Sequence, residues 1–151
     1  MTTFSPTLEP SMQPTGMDFR IAKFKGLIGK IVAAITGRPN QLVDLETLTT
    51  GKNIRTRRYA RSHSVNINQI KGSEGRCQDF DQKFNPLKSH NCERWLNIAS
   101  AWQRGVNLPA IDLIKVQDVY VVRDGHHRIS VARYLGCAYL DAHVTEWVLE
   151  A

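Results

Sequence analysis

The sequence predicts an α+β fold: a small mixed β-sheet with packed helices, preceded by a helical N-terminal arm. Apolar, often β-branched residues alternate along 111–116, 119–123 and 139–147, which is typical of strands. Apolar residues recur every three or four positions along 89–103 and 126–135, which is typical of helices that pack on one face. From residue 63 onwards the predicted order is strand, loop, helix, strand, strand, helix, strand.

The composition is that of an ordinary globular protein, with 42% apolar and 23% charged residues among 151. This length predicts one domain with an appended arm. Three irregularly spaced cysteines, Cys77, Cys92 and Cys137, do not form a disulfide framework and indicate a reducing, cytoplasmic compartment. We expect neither a membrane span nor a secretory signal, because no apolar run reaches about 20 residues and the first residues are polar and proline-rich.

Positive charge is concentrated in the N-terminal part of the chain. From Arg20 to Arg61 there are ten Lys and Arg against two acidic residues, whereas residues 62–151 contain ten of each sign. We therefore expect a disordered tail over 1–16, a basic helical N-terminal arm over 17–61, and the compact domain over 62–151. A basic arm of this kind is typical of proteins that contact a polyanion.

The arm begins with a predicted helix over 18–36, which Gly37 and Pro39 end. Three readings are open for it: it packs on its own domain, it makes a homodimer contact, or it lies on a membrane. Packing on its own domain is the default, and membrane binding is the least favoured because the apolar stripe is short and basic residues are few. Gly26 and Gly29 weaken the helix, so it needs a partner surface. Its apolar stripe consists of Ile21, Phe24, Ile28, Ile31 and Ile35.

A second short helix is expected around Leu42–Leu48, followed by the densest positive run of the chain, residues 52–61. This run is long enough to neutralise several phosphates, and Tyr59 is available for stacking on a base. A solvated basic linker is the equally weighted alternative. The candidate nucleic-acid-binding residues are Arg55, Arg57, Arg58 and Arg61.

The elements of the compact domain follow from local signals. Val65 and Ile67 indicate a short strand, and residues 71–86 an irregular loop. Ser89 or Asn91 can cap a helix that runs to residue 103, and a hairpin over 111–123 turns at residues 117–118. The helix from residue 126 to 135 ends at Gly136, and a strand over 139–147 completes the sheet.

The most informative segment is the turn that joins the second hairpin strand to the last helix. Asp124 stands where a side chain can cap the helix, and Gly125 allows a close backbone approach. His126, His127 and Arg128 then crowd the first turn, where free N–H groups and the helix dipole favour an anion. Because cations are unfavourable at a helix N-terminus, their presence predicts a phosphate or nucleotide ligand, to which Arg128 can donate two parallel hydrogen bonds. The alternative is a capped helix whose surface happens to carry His and Arg.

This order of elements, with Leu-Pro-Ala-Ile at 108–111 and Asp-Gly-His-His-Arg-Ile-Ser-Val-Ala-Arg-Tyr-Leu-Gly at 124–136, resembles the N-terminal domain of the partition protein ParB. That domain belongs to the ParB/sulfiredoxin fold, and the resemblance covers a little over half of the chain. It implies that Gly125 and Arg128 hold the triphosphate of CTP, and that an arginine in the loop after the first strand, best matched by Arg76, also meets the phosphates.

The departures from the family narrow the expected activity. The helix-turn-helix domain of a full partition protein does not follow within this sequence. Sulfiredoxins place a catalytic cysteine directly after the turn glycine, where this chain has His126, so we do not expect sulfinic acid reduction. The expected function is a nucleotide-binding protein (CTP, ATP or ADP) that acts as a DNA-associated switch.

Free-serine kinases of the same fold are also similar, since they favour an Asp-Gly-His start to this turn. The resemblance implies a carboxylate base in the first loop, for which Glu74 is the candidate, with Asp79 and Asp81 as metal or supporting groups and Mg²⁺ as a cofactor. A third possibility is a non-catalytic interaction module that assembles through the 18–36 helix. No metal-binding residues are predicted, because adjacent histidines do not easily chelate one ion and no Cys-x-x-Cys pair occurs.

Overall fold

The computed structural model describes residues 14–150, apart from the side chain of Ala60. Most of the predicted disordered tail therefore lies outside the described residues. The described chain forms four α-helices and one six-stranded mixed sheet, which confirms the predicted α+β class. The helices are α1 (Gly16–Thr36), α2 (Leu45–Thr49), α3 (Cys92–Gln103) and α4 (His126–Tyr134). The strands are β1 (Val43–Asp44), β2 (Ile54–Asn66), β3 (Ile70–Ser73), β4 (Ile111–Val116), β5 (Val119–Asp124) and β6 (Tyr139–Leu149).

The sheet order is β1-β3-β5-β4-β6-β2. The β4–β5 hairpin lies at its centre, and β3 and β6 flank the hairpin as parallel neighbours. β2 pairs with β6 in the antiparallel direction and forms one edge, while the short β1 forms the other. The hairpin, the two helices α3 and α4, and β6 are where the sequence predicts them.

The two faces of the sheet carry separate apolar clusters. On one face, α4 packs on the central strands through Ile129 and Ala132. α1 and α3 extend this helical layer around Trp95, whose indole N–H donates to Ser130 Oγ of α4 at 3.0 Å. On the other face, α2 contributes Leu45 to a smaller cluster. The helical layer holds the start of α4 against the sheet.

β2 starts earlier than the sequence predicts. Most of the positive run over 52–61, which is predicted to be part of a basic arm or linker, forms the first half of this 13-residue strand. The domain boundary predicted after residue 61 therefore falls inside the strand and is wrong. Ile54 is in register with Leu149 and Asn66 with Tyr139. The first half of β2 could not be predicted from local sequence, because its exposed arginines do not show the apolar alternation of a strand. This half is ordered by pairing with β6, which is distant in sequence.

α1 docks by a different face from the predicted one. The residues that it buries are Phe19, Ala22 and Gly26, and Phe19 contacts the Trp95 ring edge-on at 5.8 Å between centroids. The glycines allow this close approach: a Cβ at Gly26 would lie 2.9 Å from Leu87 Cδ2, and one at Gly29 would lie 2.8 Å from Asn40 Nδ2. The helix thus packs on its own domain, but the predicted stripe of Ile21, Phe24, Ile28, Ile31 and Ile35 is exposed.

Candidate functional site

The turn at Gly125 is built for a glycine. Its φ of 112° is rarely adopted by residues with a side chain, and an added Cβ would lie 2.5 Å from Ile111 Cγ2. Gly125 itself occupies the N-cap position of α4, and no side chain caps the helix. The prediction that Asp124 caps α4 is therefore wrong: Asp124 ends β5, in register with Asp112 of β4.

Asp124 instead accepts a hydrogen bond from Arg128 Nη2 at 2.9 Å. The other terminal nitrogen of Arg128 donates to the Ala110 carbonyl at 2.8 Å and to the Pro109 carbonyl. Only 14% of the Arg128 side chain is exposed. Arg128 therefore ties α4 to the segment that enters β4, and its hydrogen bonds are largely used within the protein.

The imidazoles of His126 and His127 are buried and hydrogen-bonded. His126 Nε2 lies 2.7 Å from Ser73 Oγ at the end of β3, and its ring stacks on Phe80. His127 Nε2 donates to Asn91 Oδ1, just before α3, at 3.1 Å. These contacts connect the first turn of α4 to β3 and to the start of α3, so both histidines position the helix.

Burial lowers the pKa of both imidazoles to about 4, and repulsion from the Arg76 guanidinium adds to the effect in each case. Near neutral pH both rings are therefore uncharged. The expectation that His126 and His127 supply positive charge to a ligand is wrong under these conditions, and their neutral form removes the unfavourable interaction with the helix dipole.

A small concavity of about 30 Å³ lies at this end of α4. The first intrahelical hydrogen bond runs from Ile129 N–H to the Gly125 carbonyl, so the N–H groups of the three preceding residues are not used within the helix. Two arginines from other parts of the chain complete the wall: Arg76 from the loop after β3 and Arg94 from α3. Its lining residues are Arg76, Arg94, Ile98, Asp124, Gly125, His126, His127 and Arg128.

Arg94 was not predicted from the sequence. One sequence feature could have indicated Arg94: it lies four residues before Ile98, so the two side chains share a face of the predicted helix α3. All of the predicted phosphate-binding residues, which are residues 124–128 together with Arg76, line this concavity.

A larger cavity of about 530 Å³ also has Arg128 in its wall, and sequence reasoning missed it. Its walls come from the segment between α3 and β4 and from the adjoining ends of β2 and β6, which are distant in sequence. The lining is mixed: Trp102, Val106, Leu108, Pro109, Ile111 and Leu140 are apolar, and Ser64, Asn107, Arg128 and Asp141 are polar, with Gly105, Ala110 and Tyr139 completing the wall.

The predicted acidic residues have structural partners. Glu74 Oε2 accepts a hydrogen bond from Arg123 Nε at 2.9 Å, and Glu74 lines neither cavity. Asp79 lies 3.4 Å from Arg76 Nε and 3.6 Å from Lys88 Nζ. The buried Asp81 accepts hydrogen bonds from the Lys83 and Asn85 backbone N–H groups, which organises the loop. The ion pair with Arg123 argues against Glu74 as a general base.

The candidate nucleic-acid-binding arginines lie along the edge strand β2. The Arg57 guanidinium lies 4.5 Å from the centroid of the Trp147 ring, and Arg58 Nη2 lies 2.8 Å from Glu146 Oε2. Arg55 and Arg61 are exposed. Within residues 14–150 there is no cluster of three or more His, Cys, Asp and Glu side chains suited to a metal ion, and none of the helices has the length and apolarity to cross a membrane.

Comparison with known proteins gives no match: no family model, no curated protein and no solved structure is significantly similar to this chain. The resemblance to ParB-type domains therefore stays a prediction.

Proposed function

We propose that this protein binds a nucleotide or a nucleotide-like molecule, with a phosphate group at the N-terminal end of α4 and the nucleoside in the larger cavity. The position of Arg128 carries the proposal, because this residue lines both the small concavity and the larger cavity. A ligand that contacts Arg128 from both sides would occupy the two spaces together. CTP and ATP, the nucleotides suggested by the resemblance to ParB and to the kinases of its fold, are the first to test.

The charges around the concavity support an anionic ligand. The first-turn residues of α4, whose N–H groups are not used within the helix, line the same small space as Arg76 and Arg94. Burial is the main reason that the pKa of both imidazoles is low, and repulsion from Arg76 lowers both further, which places this guanidinium close to the two rings. A phosphate would complete a site whose positive charge comes from arginines while the histidines stay neutral.

The two volumes fit different parts of a nucleotide. The larger cavity, about 530 Å³, is within the range of small-molecule sites, and its Trp102 and Val106 side chains offer apolar surface to a base or sugar. The concavity of about 30 Å³ is too small to enclose a chain of three phosphates, so a phosphate group there would be only partly enclosed. Further phosphates of a triphosphate would extend outward.

A bound phosphate would also link elements that are separate in sequence. Arg76 belongs to the loop between β3 and α3, and Arg94 to α3, so both would be held to α4 through the ligand. This gives the proposed regulatory switch a physical basis: the ligand stabilises the loop conformation that brings Arg76 to the site.

Calorimetric titration tests the proposal with CTP, ATP, CMP, AMP and inorganic phosphate. We expect a nucleotide to bind and Arg94→Ala to weaken its binding by at least about tenfold, because a hydrogen bond to a charged group contributes about 1.5–3 kcal/mol. Arg94 is the residue of choice because it is exposed, whereas Arg128 also holds the β4 entrance.

Arg38→Ala is the matched control, since Arg38 is exposed and lies after α1, away from both cavities. It should leave the affinity unchanged. Absence of nucleotide binding by the wild-type protein, or equal losses in the two variants, would contradict the proposal.

Contact with nucleic acid is a second candidate function, and the row of arginines on the exposed edge strand favours it. If Arg55 and Arg61 contact phosphates, DNA affinity falls with salt, and each Arg→Ala variant lowers the salt slope by about one. Arg104→Ala, at the end of α3, serves as the control. DNA binding with the same salt slope in all three variants would exclude β2 as the interface.

A further inference from the structure

The face of α1 that points away from the domain is covered by large apolar side chains. Each of these side chains is between 41 and 79% exposed. At 3.6 residues per turn they fall within an arc of about 140°. The stripe is wider than the sequence suggests, because three residues join the five predicted ones. It comprises Met17, Ile21, Phe24, Leu27, Ile28, Ile31, Val32 and Ile35.

The exposed stripe lies opposite the docked side of the helix. Phe19, Ala22 and Gly26 are buried against the domain, and Gly29 approaches Asn40 on the same side. The stripe therefore cannot turn inward without undocking Phe19 from Trp95. Exposed apolar patches of this kind mark surfaces that bind another molecule.

Cations border the stripe on both sides. By its angular position Arg20 lies within this arc, between Leu27 and Ile31, whereas Lys23 and Lys30 lie beyond one edge of the arc and Lys25 beyond the other. Lys23 Nζ donates to Ser89 Oγ, and Lys25 Nζ lies 5.4 Å from the centroid of the Tyr134 ring. No Asp or Glu occurs between Asp18 and Asp44, so the segment carries five positive charges, including Arg38, and no negative ones. A partner that covers this face must tolerate or attract the positive charges of Arg20 and of the lysines beside the stripe.

We propose that α1 is a membrane-surface helix, which inserts its outward apolar stripe into the interface of an anionic lipid bilayer while its other side stays docked on the domain. The long side chains of Arg20 and Lys30 can lie along the apolar surface and bring their charged groups to lipid phosphates. This is in-plane binding, which needs no membrane-spanning length. It is independent of the nucleotide proposal.

A second copy of the chain is the main competing occupant. Met17, Ile21, Phe24, Ile28, Ile31 and Ile35 are spaced by four and three residues, which also suits a coiled-coil seam. Such pairing would bring the cations of two α1 helices together, and after Asp18 the helix has no carboxylate to neutralise them. An anionic surface satisfies the same apolar stripe and its rim together.

Vesicle co-sedimentation of the full chain tests this proposal, with phosphatidylcholine vesicles made with and without phosphatidylglycerol. We expect binding to the anionic vesicles, weaker binding to the neutral ones, and a loss of affinity as salt is raised. Ile28→Ser should lower the partition coefficient by about tenfold, because it removes a large inserted side chain. Lys30→Gln should lower it about fivefold, since each basic residue near such a surface contributes about 1 kcal/mol.

Tyr59→Ser is the matched control, because Tyr59 is also large and 63% exposed but lies on β2. It should bind the anionic vesicles like the wild-type protein, and unfolding midpoints of all variants verify that they fold. No binding of the wild-type chain to anionic vesicles at low salt would overturn the proposal. So would a dimer, seen by analytical ultracentrifugation, that persists with vesicles present and that Ile28→Ser dissociates.

Discussion

In α4 the side chains of two histidines and a serine are buried, whereas in α1 eight large apolar side chains are exposed. The difference lies in the partners that each helix meets. His126, His127 and Ser130 find hydrogen-bond partners in Ser73, Asn91 and Trp95. The outward stripe of α1 meets nothing within the described chain. Side-chain polarity alone therefore does not predict which residues of these two helices are buried.

The largest expected effect is the loss of stability that acid causes through the buried histidines of α4. The folded-state pKa of His126 and His127 is about 4, below the ordinary value of 6.5, so the unfolded chain binds more protons between these pH values. The free energy of unfolding should therefore fall as the pH is lowered from 6.5 to 4, and below this range the two histidines should cause no further change. The loss is at most about 3 kcal/mol for each histidine. Urea unfolding at several pH values measures it.

His126→Gln provides the comparison, since glutamine is polar but does not titrate in this range. Its unfolding free energy should depend less steeply on pH between 6.5 and 4 than that of the wild-type protein. If the two slopes are equal, His126 is not buried in its neutral form.

The turn that aims α4 at the sheet should show the next largest effect. Gly125→Ala should lower the free energy of unfolding by about 2–4 kcal/mol, because the methyl group both meets Ile111 and forces alanine into a positive φ. Chemical denaturation measures the loss. Gly136→Ala is the control: Gly136 has a φ of 79° but open space around its Cα, so only the backbone strain of about 1 kcal/mol applies. Equal losses at the two positions would show that Ile111 yields.

The sequence predicted the elements whose signals are local. Local periodicity and end signals predicted the β4–β5 hairpin, α3, α4 and β6. The order of residue types over 124–128 predicted the candidate phosphate site. What the sequence missed depends on long-range pairing. β2 is ordered by pairing with β6. Asp124 accepts a hydrogen bond from Arg128 and does not cap α4. The larger cavity lies between segments that are distant in sequence.

The burial of His126 and His127 also could not be predicted from the sequence, because both rings pack against Phe80 from the loop before α3. A histidine in the first turn of a helix has the same local sequence whether it faces solvent or an aromatic ring. The predicted positive charges of the site change with it, from histidines and arginines to arginines alone.

The smallest effect on the free energy of unfolding is expected for Ile28→Ser on the outward face of α1, the variant that should also lower vesicle binding about tenfold. Ile28→Ser should change the free energy of unfolding by less than about 0.5 kcal/mol, because Ile and Ser have similar helix propensities and Ile28 is 44% exposed in the described chain. Phe19→Ala, on the docked face of the same helix, should cost about 3–5 kcal/mol, since Phe19 is 3% exposed and packs on Trp95. Denaturant unfolding of the two variants checks this contrast. A large loss in Ile28→Ser would mean that the stripe is covered within the folded protein in solution, and the contrast between α1 and α4 would then disappear.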